Sequence, residues 1–464
     1  MQLVLKIFTL LITLLSFTNN YSAPISQQSI QSIVKATEEI ADTYHDMGWY
    51  SGSLLIAKDD KIIFEKSYGY AHLDKIKNTA NTKFNLGSVM KNLTKVLVLQ
   101  QVADKKLSLD DTLDKFELNF PEDISSIITI DHLLNHSSGF ADIFIAEYRE
   151  NQLSFDTLDK KLMLLKDKPL LFEPGTDRSY SNYGYIVLGS ILEKITNEPF
   201  TKLLENNIFN RVGLLHSTFN ANESEKNQSI RYTYQYDGSI RKVGITEHPS
   251  PDGGTESNAS DVQKFYRELF YGDKIIDRTN EIVRNAFSMN GEHWSSYGGG
   301  LGVSSAVEVN LVDGIEIVVL ANTDNLVAER ISQRIHSFIK TGSYSEILEL
   351  ETNYAYRYYT DKRKENLYTH FKYEYVKSCY TKFIGRTLNE LGMQLLNNKA
   401  WDESLDIFNY LVSIFPTAPQ AYDSLSYAYF TKGDVDKAHN IFKKALELIA
   451  NFNSEYVSEN YGNM

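Results

Sequence analysis

The chain has 464 residues, of which 42% are apolar and 23% charged, and its formal net charge is −13. This length predicts two or three domains, and the composition is that of a soluble globular protein, which excludes extended disorder. The acidic balance, without a clustered lysine or arginine stripe, argues against nucleic acid as a partner.

The first 23 residues have the layout of a secretory signal peptide. Lys6 precedes an apolar run over residues 7–17, and the small residues Ser22 and Ala23 follow it. The run is too short to cross a bilayer as a helix, and nothing later in the chain reads as a membrane span. We therefore expect residues 1–23 to be removed and the mature chain to be periplasmic or secreted. A buried N-terminal helix is the alternative.

Cys379 is the only cysteine in the chain. No intrachain disulfide can form, and there is no CxxC metal or redox motif. Because Cys379 lies in a helical stretch, we expect a buried structural thiol.

Hydrophobic periodicity predicts helices and strands in the segment after the leader. A helix is expected over 30–47, and GSLLIAKDDKIIFEKSYGYAHLD predicts a β-hairpin that turns at Asp59-Asp60. Residues 84–104 are expected to form one long helix, and a mixed helical region continues to about residue 225.

Strand patterns return after this helical region. DGSIRK predicts a turn, HPSPDGGTESNASD a loop, and a helix is expected from Asn258. A second hairpin turns at Asp313-Gly314 and is followed by a closing helix, VAERISQRIHSFIK. Strands at both ends with helices between them predict an α+β domain over residues 30–342. It would have one antiparallel sheet flanked by helices and an inserted helical subdomain.

The last hundred residues carry only helical patterns, so we expect an all-α domain over residues 350–450. A first set of residues recurs 34 positions later, and it comprises Leu388, Leu391, Gly392, Leu395, Ser404, Phe408 and Leu411. This period resembles tetratricopeptide repeats, at about two units. The Tyr-rich stretch 353–380 is expected to form a further helix that packs on them. A protein partner could bind these repeats, and a plain helical hairpin or a structural brace is the alternative.

Ser88 and Lys91 form an S-x-x-K motif. A serine hydroxyl is a weak nucleophile that needs a neighbouring base or cation, and a spacing of three places both side chains on one helix face. The spacing alone is weak evidence, because Ser32, Ser239 and Ser337 also precede a lysine by three residues. The longer context FNLGSVMKNLT distinguishes Ser88 from these matches.

Tyr180 and Asn182 form a second motif, Y-S-N, which follows FEPGTDRS. A tyrosine hydroxyl acts as a general base only where its phenolate is stabilised, and a nearby Lys91 ammonium in a water-poor cleft could do this.

Several segments together resemble class C β-lactamases and related penicillin-recognising serine hydrolases. The block over 84–94 is similar to their F-x-x-G-S-x-x-K-x-x-T segment, and ITIDHLLNHSSGF (128–140) to T-I-x-x-L-L-x-H-x-S-G. FEPGTDRSYSNYGYIVLGSILEKITNEPF (172–200), PDGGTESNASDVQKF (251–265) and IEIVVLANTDN also match, in the order of the family. The resemblance covers roughly residues 30–340.

The resemblance implies the roles of individual residues. Ser88 would form an acyl-enzyme, Lys91 would polarise it, and Tyr180 would be the general base and then the general acid. Asn182 would hydrogen-bond Lys91 and the substrate amide, and the Ser88 N–H would form half of an oxyanion hole.

The third motif of the family departs from its pattern. The usual Lys-Thr/Ser-Gly or His-x-Gly is replaced, at the right place in chain order, by YGGGLG (297–302). On this basis Tyr297 takes the place of the cation, and Gly299 and the Gly300 N–H contribute to substrate binding and the oxyanion hole. The literal match IKTG (339–342) lies after the closing helix, and we interpret Gly342 as its C-cap.

These features predict a secreted serine hydrolase that cleaves an ester or amide through an acyl-Ser88 intermediate, without cofactor or metal. His132 and His136 have a spacing that can bind zinc, but HLLNH lacks the glutamate of that motif. Esters, D-amino-acid peptides and β-lactams are all open as substrates. The alternative is a weakly catalytic or inactive penicillin-binding-like protein that binds peptides or proteins through its cleft and repeats.

Overall fold

The computed structural model describes residues 28–73, 75–452 and 454. The predicted signal peptide at residues 1–23 lies outside these ranges. Within them, no helix has both the length and the hydropathy needed to cross a membrane.

A five-stranded antiparallel sheet forms the centre of the first domain. The strands, in chain order, are β1 (Gly52–Lys58), β2 (Lys61–Tyr68), β3 (Tyr70–His72), β4 (Ile76–Lys77), β5 (Phe84–Asn85), β6 (Tyr232–Tyr234), β7 (Ile240–Lys242), β8 (Glu256–Ser257), β9 (His293–Gly300), β10 (Val303–Asn310) and β11 (Ile315–Ala321). The sheet has the order β2-β1-β11-β10-β9, so it is built from both ends of the domain as predicted. Three two-stranded ribbons join β3 to β4, β5 to β8 and β6 to β7.

Both predicted hairpins of the sheet are confirmed. Asp59 and Asp60 connect β1 to β2 with φ angles of 47° and 67°, which aspartate tolerates better than most residues. Residues 311–314, which include Asp313 and Gly314, connect β10 to β11.

Helices cover both faces of the sheet. They are α1 (Ile30–Asp46), α2 (Lys91–Ala103), α3 (Glu122–Ser125), α4 (Ile130–Leu134), α5 (Ala146–Glu150), α6 (Leu158–Met163), α7 (Asn182–Thr196), α8 (Phe200–Leu204), α9 (Asn210–Val212), α10 (Ala259–Tyr271), α11 (Glu281–Ala286) and α12 (Val327–Thr341). The helices α1 and α12 pack on one face, and α10 packs on the other face, which adjoins the helical subdomain.

The buried strand β1 shows how the sheet separates two apolar cores. Leu54 and Ile56 enter the core under α1 and α12, whereas Leu55 and Ala57 enter the core shared with the helical subdomain. Successive side chains of a strand point to opposite faces, so a strand buried on both sides is apolar throughout. The predicted α+β fold, with an inserted helical subdomain, is therefore confirmed.

The predicted helix over 84–104 is wrong in its first seven residues. Phe84 and Asn85 pair with β8, a 3-10 turn follows (Gly87–Met90, here called the Ser88 turn), and α2 begins only at Lys91. Gly87 has a φ of 50°, and its N–H donates to the Asn85 side chain, so the chain turns where apolar spacing alone favoured a helix.

The C-terminal region is helical, as predicted. It contains α13 (Glu351–Lys377), α14 (Ile384–Asn397), α15 (Trp401–Ile414), α16 (Pro419–Lys432) and α17 (Val435–Leu448). Adjacent helices pack in sequence, and α13 covers α14 and α15, which is the arrangement of helical repeats. The helix α13 also joins the first domain, because Glu351 pairs with Arg330 of α12 at 3.0 Å.

The helix pairs α14–α15 and α16–α17 each contain a hydrogen bond from a serine hydroxyl to a carbonyl of the other helix, with the donor on the second helix in one pair and on the first helix in the other. Ser404 of α15 donates to the Gly392 carbonyl of α14 at 2.8 Å. In the second unit, Ser426 takes the place of Gly392 and donates to the carbonyl of Ala438, also at 2.8 Å. Small residues at these positions let the paired helices approach closely.

The expected buried environment of Cys379 is wrong. The helix α13 ends at Lys377, and Cys379 follows with a φ of 61° and an exposed side chain. Helical periodicity did not reveal this end, because no glycine or proline marks it.

Candidate active site

Ser88 lies at the mouth of a cleft between the sheet and the helical subdomain. The Ser88 turn is fixed on one side by Leu86, whose carbonyl accepts hydrogen bonds from the Ser305 hydroxyl at 2.6 Å and from the Val89 N–H at 3.1 Å. Ser88 itself is half-buried, directly before α2. Its hydroxyl is therefore held on rigid backbone while one side remains open to a ligand.

Two side chains donate hydrogen bonds to the Ser88 hydroxyl. Tyr180 Oη lies 2.8 Å from Ser88 Oγ, and Lys91 Nζ lies 3.2 Å from it. The Lys91 ammonium also lies 5.0 Å from the centre of the Tyr180 ring. The structure thus brings together all three residues that the sequence predicted as catalytic.

Lys91 is fixed in a single orientation by its other two partners. Its Nζ donates to Asn182 Oδ1 at 2.6 Å and to the Asp252 carbonyl at 2.7 Å. Asn182 presents this oxygen to Lys91 because its own amide donates to Asp142 Oδ2 at 2.9 Å. Asn182 is placed as predicted, and Asp142 is a positioning residue that sequence reasoning missed.

His136 is a second residue of this site that sequence reasoning missed. Its ring packs against the Tyr180 ring with centroids 4.5 Å apart and planes tilted by 32°, and its Nδ1 accepts a hydrogen bond from the Ser181 N–H at 3.3 Å. His132 instead receives the Thr129 N–H at the start of α4. The two histidines therefore engage different groups, and His136 holds the ring of Tyr180 in place. Only the folded structure shows that the segment HSSGF lies next to the YSN motif, so the sequence alone could not identify His136 as a residue of this site.

Replacing His136 with asparagine is expected to flatten the pH dependence of stability between about pH 4 and 6.5. Burial, followed by the Lys91 charge, lowers the pKa of His136 to about 4. The unfolded chain binds a proton on this imidazole near pH 6.5, so falling pH favours the unfolded state across this window. After allowance for solvent screening, the parent should lose about 2 kcal/mol more than the variant. Urea unfolding at pH 4.5 and 7.5 measures this difference, and equal losses in both proteins would contradict it.

Tyr297 borders the cleft, but its side chain points away from Ser88 toward the core under α1 and α12, so it does not take the place of the family's cation. Its hydroxyl donates to Glu308 at 2.8 Å on the opposite face of the sheet. Side chains alternate along β9, and Ser296 is the residue that points into the cleft, where it accepts a hydrogen bond from Asn92 at 2.9 Å. On this strand an uncharged serine side chain therefore faces the cleft.

Gly298 lies against the Ser88 turn so closely that no side chain fits. A Cβ at this position would lie 2.1 Å from the Leu86 carbonyl oxygen, 2.5 Å from Ser305 Oγ and 3.0 Å from the Ser88 nitrogen. The absence of a side chain lets the edge strand β9 reach the nucleophile.

The N–H of Gly299, rather than that of Gly300, is the closer candidate for the second oxyanion donor. A Cβ on Gly87 would have the Gly299 nitrogen as its nearest heavy atom, at 3.0 Å, and no atom of Gly300 is among the three nearest. The main chain at Gly299 thus adjoins the Ser88 turn, whereas Gly300 is the last residue of β9.

The cleft around Ser88 has a volume of about 720 Å³ and a cationic lining. Lys91, Lys95 and Arg178 line it, and no carboxylate is among the described residues that do. The remaining polar lining residues are Ser88, Asn92, Asn135, His136, Tyr180, Tyr185, Asn285, Ser288, Trp294, Ser295, Ser296 and Tyr297. The whole chain has a net charge of −13, so the positive charge of the cleft is opposite in sign to that of the protein as a whole.

This chain is similar to a protein-family model and to several known proteins. A family model described as Beta-lactamase matches residues 38–338. Protein flp of Staphylococcus aureus strain MRSA252 is 26% identical over 360 residues, which cover 71% of this chain and 70% of that protein. A putative D-alanyl-D-alanine carboxypeptidase of Escherichia coli K12 is 32% identical over 195 residues, or 38% of this chain and 44% of that protein.

Solved structures share the fold at lower identity. The octameric penicillin-binding protein homologue from Pyrococcus abyssi has a TM-score of 0.60 at 22% identity, with 70% of this chain and 81% of that chain covered. EstCE1, a hydrolase with promiscuous acyltransferase activity, has a TM-score of 0.58 at 21% identity, with 67% and 99% covered. The family model spans more than half of the sequence, and the chain belongs to the beta-lactamase family.

Proposed function

We propose that this protein is a serine hydrolase that cleaves an ester or amide bond through an acyl-Ser88 intermediate. The observation that carries the proposal is the convergence of Tyr180 Oη and Lys91 Nζ on Ser88 Oγ, at 2.8 and 3.2 Å. A nucleophile within reach of a base, with the base oriented by further groups, is the arrangement that nucleophilic catalysis requires.

In the proposed first step, Ser88 Oγ bonds to the substrate carbonyl carbon and its proton passes to Tyr180 Oη. This transfer requires Tyr180 to act as the base, and the Lys91 ammonium lies 5.0 Å from the centre of its ring. The N–H groups of Ser88 and Gly299 would stabilise the negative oxygen that forms. When the intermediate collapses, the leaving alcohol or amine takes the proton from Tyr180. A water molecule then attacks the carbonyl carbon of the acyl-Ser88 ester and gives up its proton to Tyr180. The carboxylic acid is released, and Ser88 Oγ recovers its proton from Tyr180.

The relatives support this class of reaction and leave several substrates open. The name of the Escherichia coli relative points to D-amino-acid peptides, and that of EstCE1 to acyl transfer. We propose residues 30–342 as the hydrolase domain and 350–450 as a domain of tetratricopeptide-like repeats. We also propose that residues 1–23 direct the chain out of the cytoplasm.

The proposal is tested by stopped-flow hydrolysis of a chromogenic ester and a D-amino-acid anilide. An acyl-enzyme that forms faster than it hydrolyses releases a burst of about one equivalent of chromophore per chain. Steady turnover in the parent, lost in Ser88→Ala, would support the proposal even without a burst. A folded protein that hydrolyses no member of an ester, D-amino-acid amide and β-lactam panel would contradict it and favour a binding protein.

We further propose that the substrate carries an anionic group, because Lys91, Lys95 and Arg178 line the cleft and no carboxylate is among its described lining residues. Lys95 is one turn beyond Lys91 on α2, and its Nζ donates to the Ala286 carbonyl at 3.1 Å. Burial, followed by the charge of Arg178, lowers the pKa of Lys95 to about 8. A bound anion would relieve this repulsion through charge-assisted hydrogen bonds.

Replacing Lys95 or Arg178 with methionine is expected to reduce the preference for an anionic substrate about tenfold. The comparison uses two esters that differ only in a free or methylated carboxylate, and a lost charge-assisted contact costs about 1.4 kcal/mol or more. In the parent, the preference should also decline above about pH 8, where Lys95 loses its proton. Lys226→Met, which removes an exposed charge outside the cleft lining, is the control. Equal kcat/KM ratios in all four proteins would contradict an anionic substrate.

A further inference from the structure

Three metal-ligating side chains meet on the face of the sheet opposite the Ser88 cleft. They are His293 of β9, Glu308 of β10 and His336 of α12, and one ligand atom from each lies within 4.8 Å of the other two. His293 Nε2 is 2.6 Å from Glu308 Oε2, and the two imidazole rings have centroids 3.9 Å apart. These residues come from three separate elements, and the fold alone brings them together.

The Glu308 carboxylate is oriented by two hydroxyl groups. Its Oε1 accepts hydrogen bonds from Tyr297 at 2.8 Å and from Ser332 at 3.0 Å, which leaves Oε2 directed toward His293. Glu308 is almost completely buried, with 1% of its surface exposed. Hydrogen-bond partners that fix a ligating carboxylate in this way are typical of the outer shell of metal sites.

We propose that His293, Glu308 and His336 bind a divalent transition-metal ion of the zinc type. Two imidazole nitrogens and one carboxylate oxygen suit this class of ion, and three protein ligands leave a fourth position for water. Magnesium and calcium prefer all-oxygen sites, so they should bind much more weakly.

Metal binding would replace the hydrogen bond between His293 and Glu308 by three bonds to the ion, one from each ligand. The hydrogen bond between His293 Nε2 and Glu308 Oε2 breaks, the neutral imidazole carries its one proton on Nδ1, and Nε2 and Oε2 become ligands. Tetrahedral ligands at ordinary zinc distances lie about 3.3 Å apart, so the ligand atoms need to shift by about 1 Å. The two imidazole rings, whose planes are 34° apart, also need to turn so that their nitrogen lone pairs converge on the ion. His293 is partly exposed, with 33% of its side-chain surface accessible, which gives the ion a path from solvent.

An ion bound at this cluster would link the edge strand of the sheet to the neighbouring strand and helix. The strand β9 is the outer strand of the sheet, and the ion would tie it to β10 and to α12. The same strand carries Gly298, which lies against the Ser88 turn on its other face. A bound ion should therefore raise the thermal stability of the full-length protein by holding this edge in place.

The test is equilibrium dialysis of tag-free, chelator-treated full-length protein against ZnCl₂, with bound metal measured by mass spectrometry. We expect about one zinc per chain in the parent, and a dissociation constant raised more than about tenfold in both His336→Ala and His293→Ala. Tyr297→Phe, which keeps all three ligands and removes one hydroxyl that orients Glu308, should weaken binding by about tenfold. The melting temperature should rise with zinc in the parent and not in the ligand variants.

His370→Ala is the matched control, because it removes an exposed histidine of α13 outside the cluster. It should bind zinc like the parent. Folding of each variant is checked by circular dichroism, so that a lost site is not confused with a lost fold. A folded parent that binds less than about one tenth of an equivalent, or ligand variants that bind zinc like the parent, would overturn the proposal. Equal affinity for magnesium would also overturn it.

Discussion

Replacing Ser88 with alanine is expected to lower hydrolysis by at least about 10⁴-fold and leave the protein folded. Removal of the nucleophile in a serine hydrolase eliminates the covalent route, and the remaining donors provide only slow residual catalysis. The structure indicates a small effect on stability, because Lys91 keeps its hydrogen bonds to Asn182 and the Asp252 carbonyl. We expect the free energy of unfolding to change by less than about 1 kcal/mol.

The control for this variant is Ser337→Ala. Ser337 also precedes a lysine by three residues, but it lies on α12, where its hydroxyl donates to the Ser343 carbonyl. Activity with the chromogenic ester should be unchanged in this variant. Full activity in Ser88→Ala would show that another residue performs the chemistry, and equal losses in both variants would indicate a general effect on folding.

Replacing Gly298 with alanine is expected to reduce kcat by about 10²–10³-fold. The new Cβ would lie 2.1 Å from the Leu86 carbonyl oxygen and 3.0 Å from the Ser88 nitrogen, so β9 has to move away from the Ser88 turn. That movement separates the two N–H groups proposed to stabilise the oxyanion, and the loss of one such donor has about this effect. KM should change less than kcat, because the donors act mainly on the charge that develops in the transition state.

Gly300→Ala is the matched control on the same strand. A Cβ there would meet only Val303 Cβ, at 3.7 Å, which is ordinary van der Waals contact. This variant should retain activity within a few-fold of the parent. Similar kcat values for Gly298→Ala and Gly300→Ala would contradict the role assigned to the close approach of β9.

Sequence motifs predicted the positions of Ser88 and the polar residues around it better than the side of the cleft formed by β9. Ser88, Lys91, Tyr180 and Asn182 lie in motifs with fixed spacing, and the structure places their functional groups within hydrogen-bond distance of one another. The prediction that Tyr297 takes the place of the cation rests on chain order alone, which does not show which face of the sheet a side chain occupies. A shift of one residue along a strand exchanges the two faces of the sheet, so Ser296 faces the cleft instead.

Other features depend on contacts that are remote in the sequence. His136 packs against Tyr180 from a loop 44 residues earlier, and local patterns do not show such a pairing. The start of α2 is mispredicted for a different reason, because Leu86, Val89 and Leu93 recur at helical spacing although α2 begins only at Lys91. Apolar spacing cannot distinguish a short buried strand from a helical turn, and Gly87 was the only local sign of a break.

The most direct test of the account is active-site labelling of the folded, full-length protein with a fluorophosphonate probe, followed by peptide mapping. The account predicts one adduct per chain, located on the Ser88 hydroxyl, and no adduct in Ser88→Ala. A folded parent that remains unlabelled under conditions that label a known serine hydrolase, or an adduct on another residue, would contradict it.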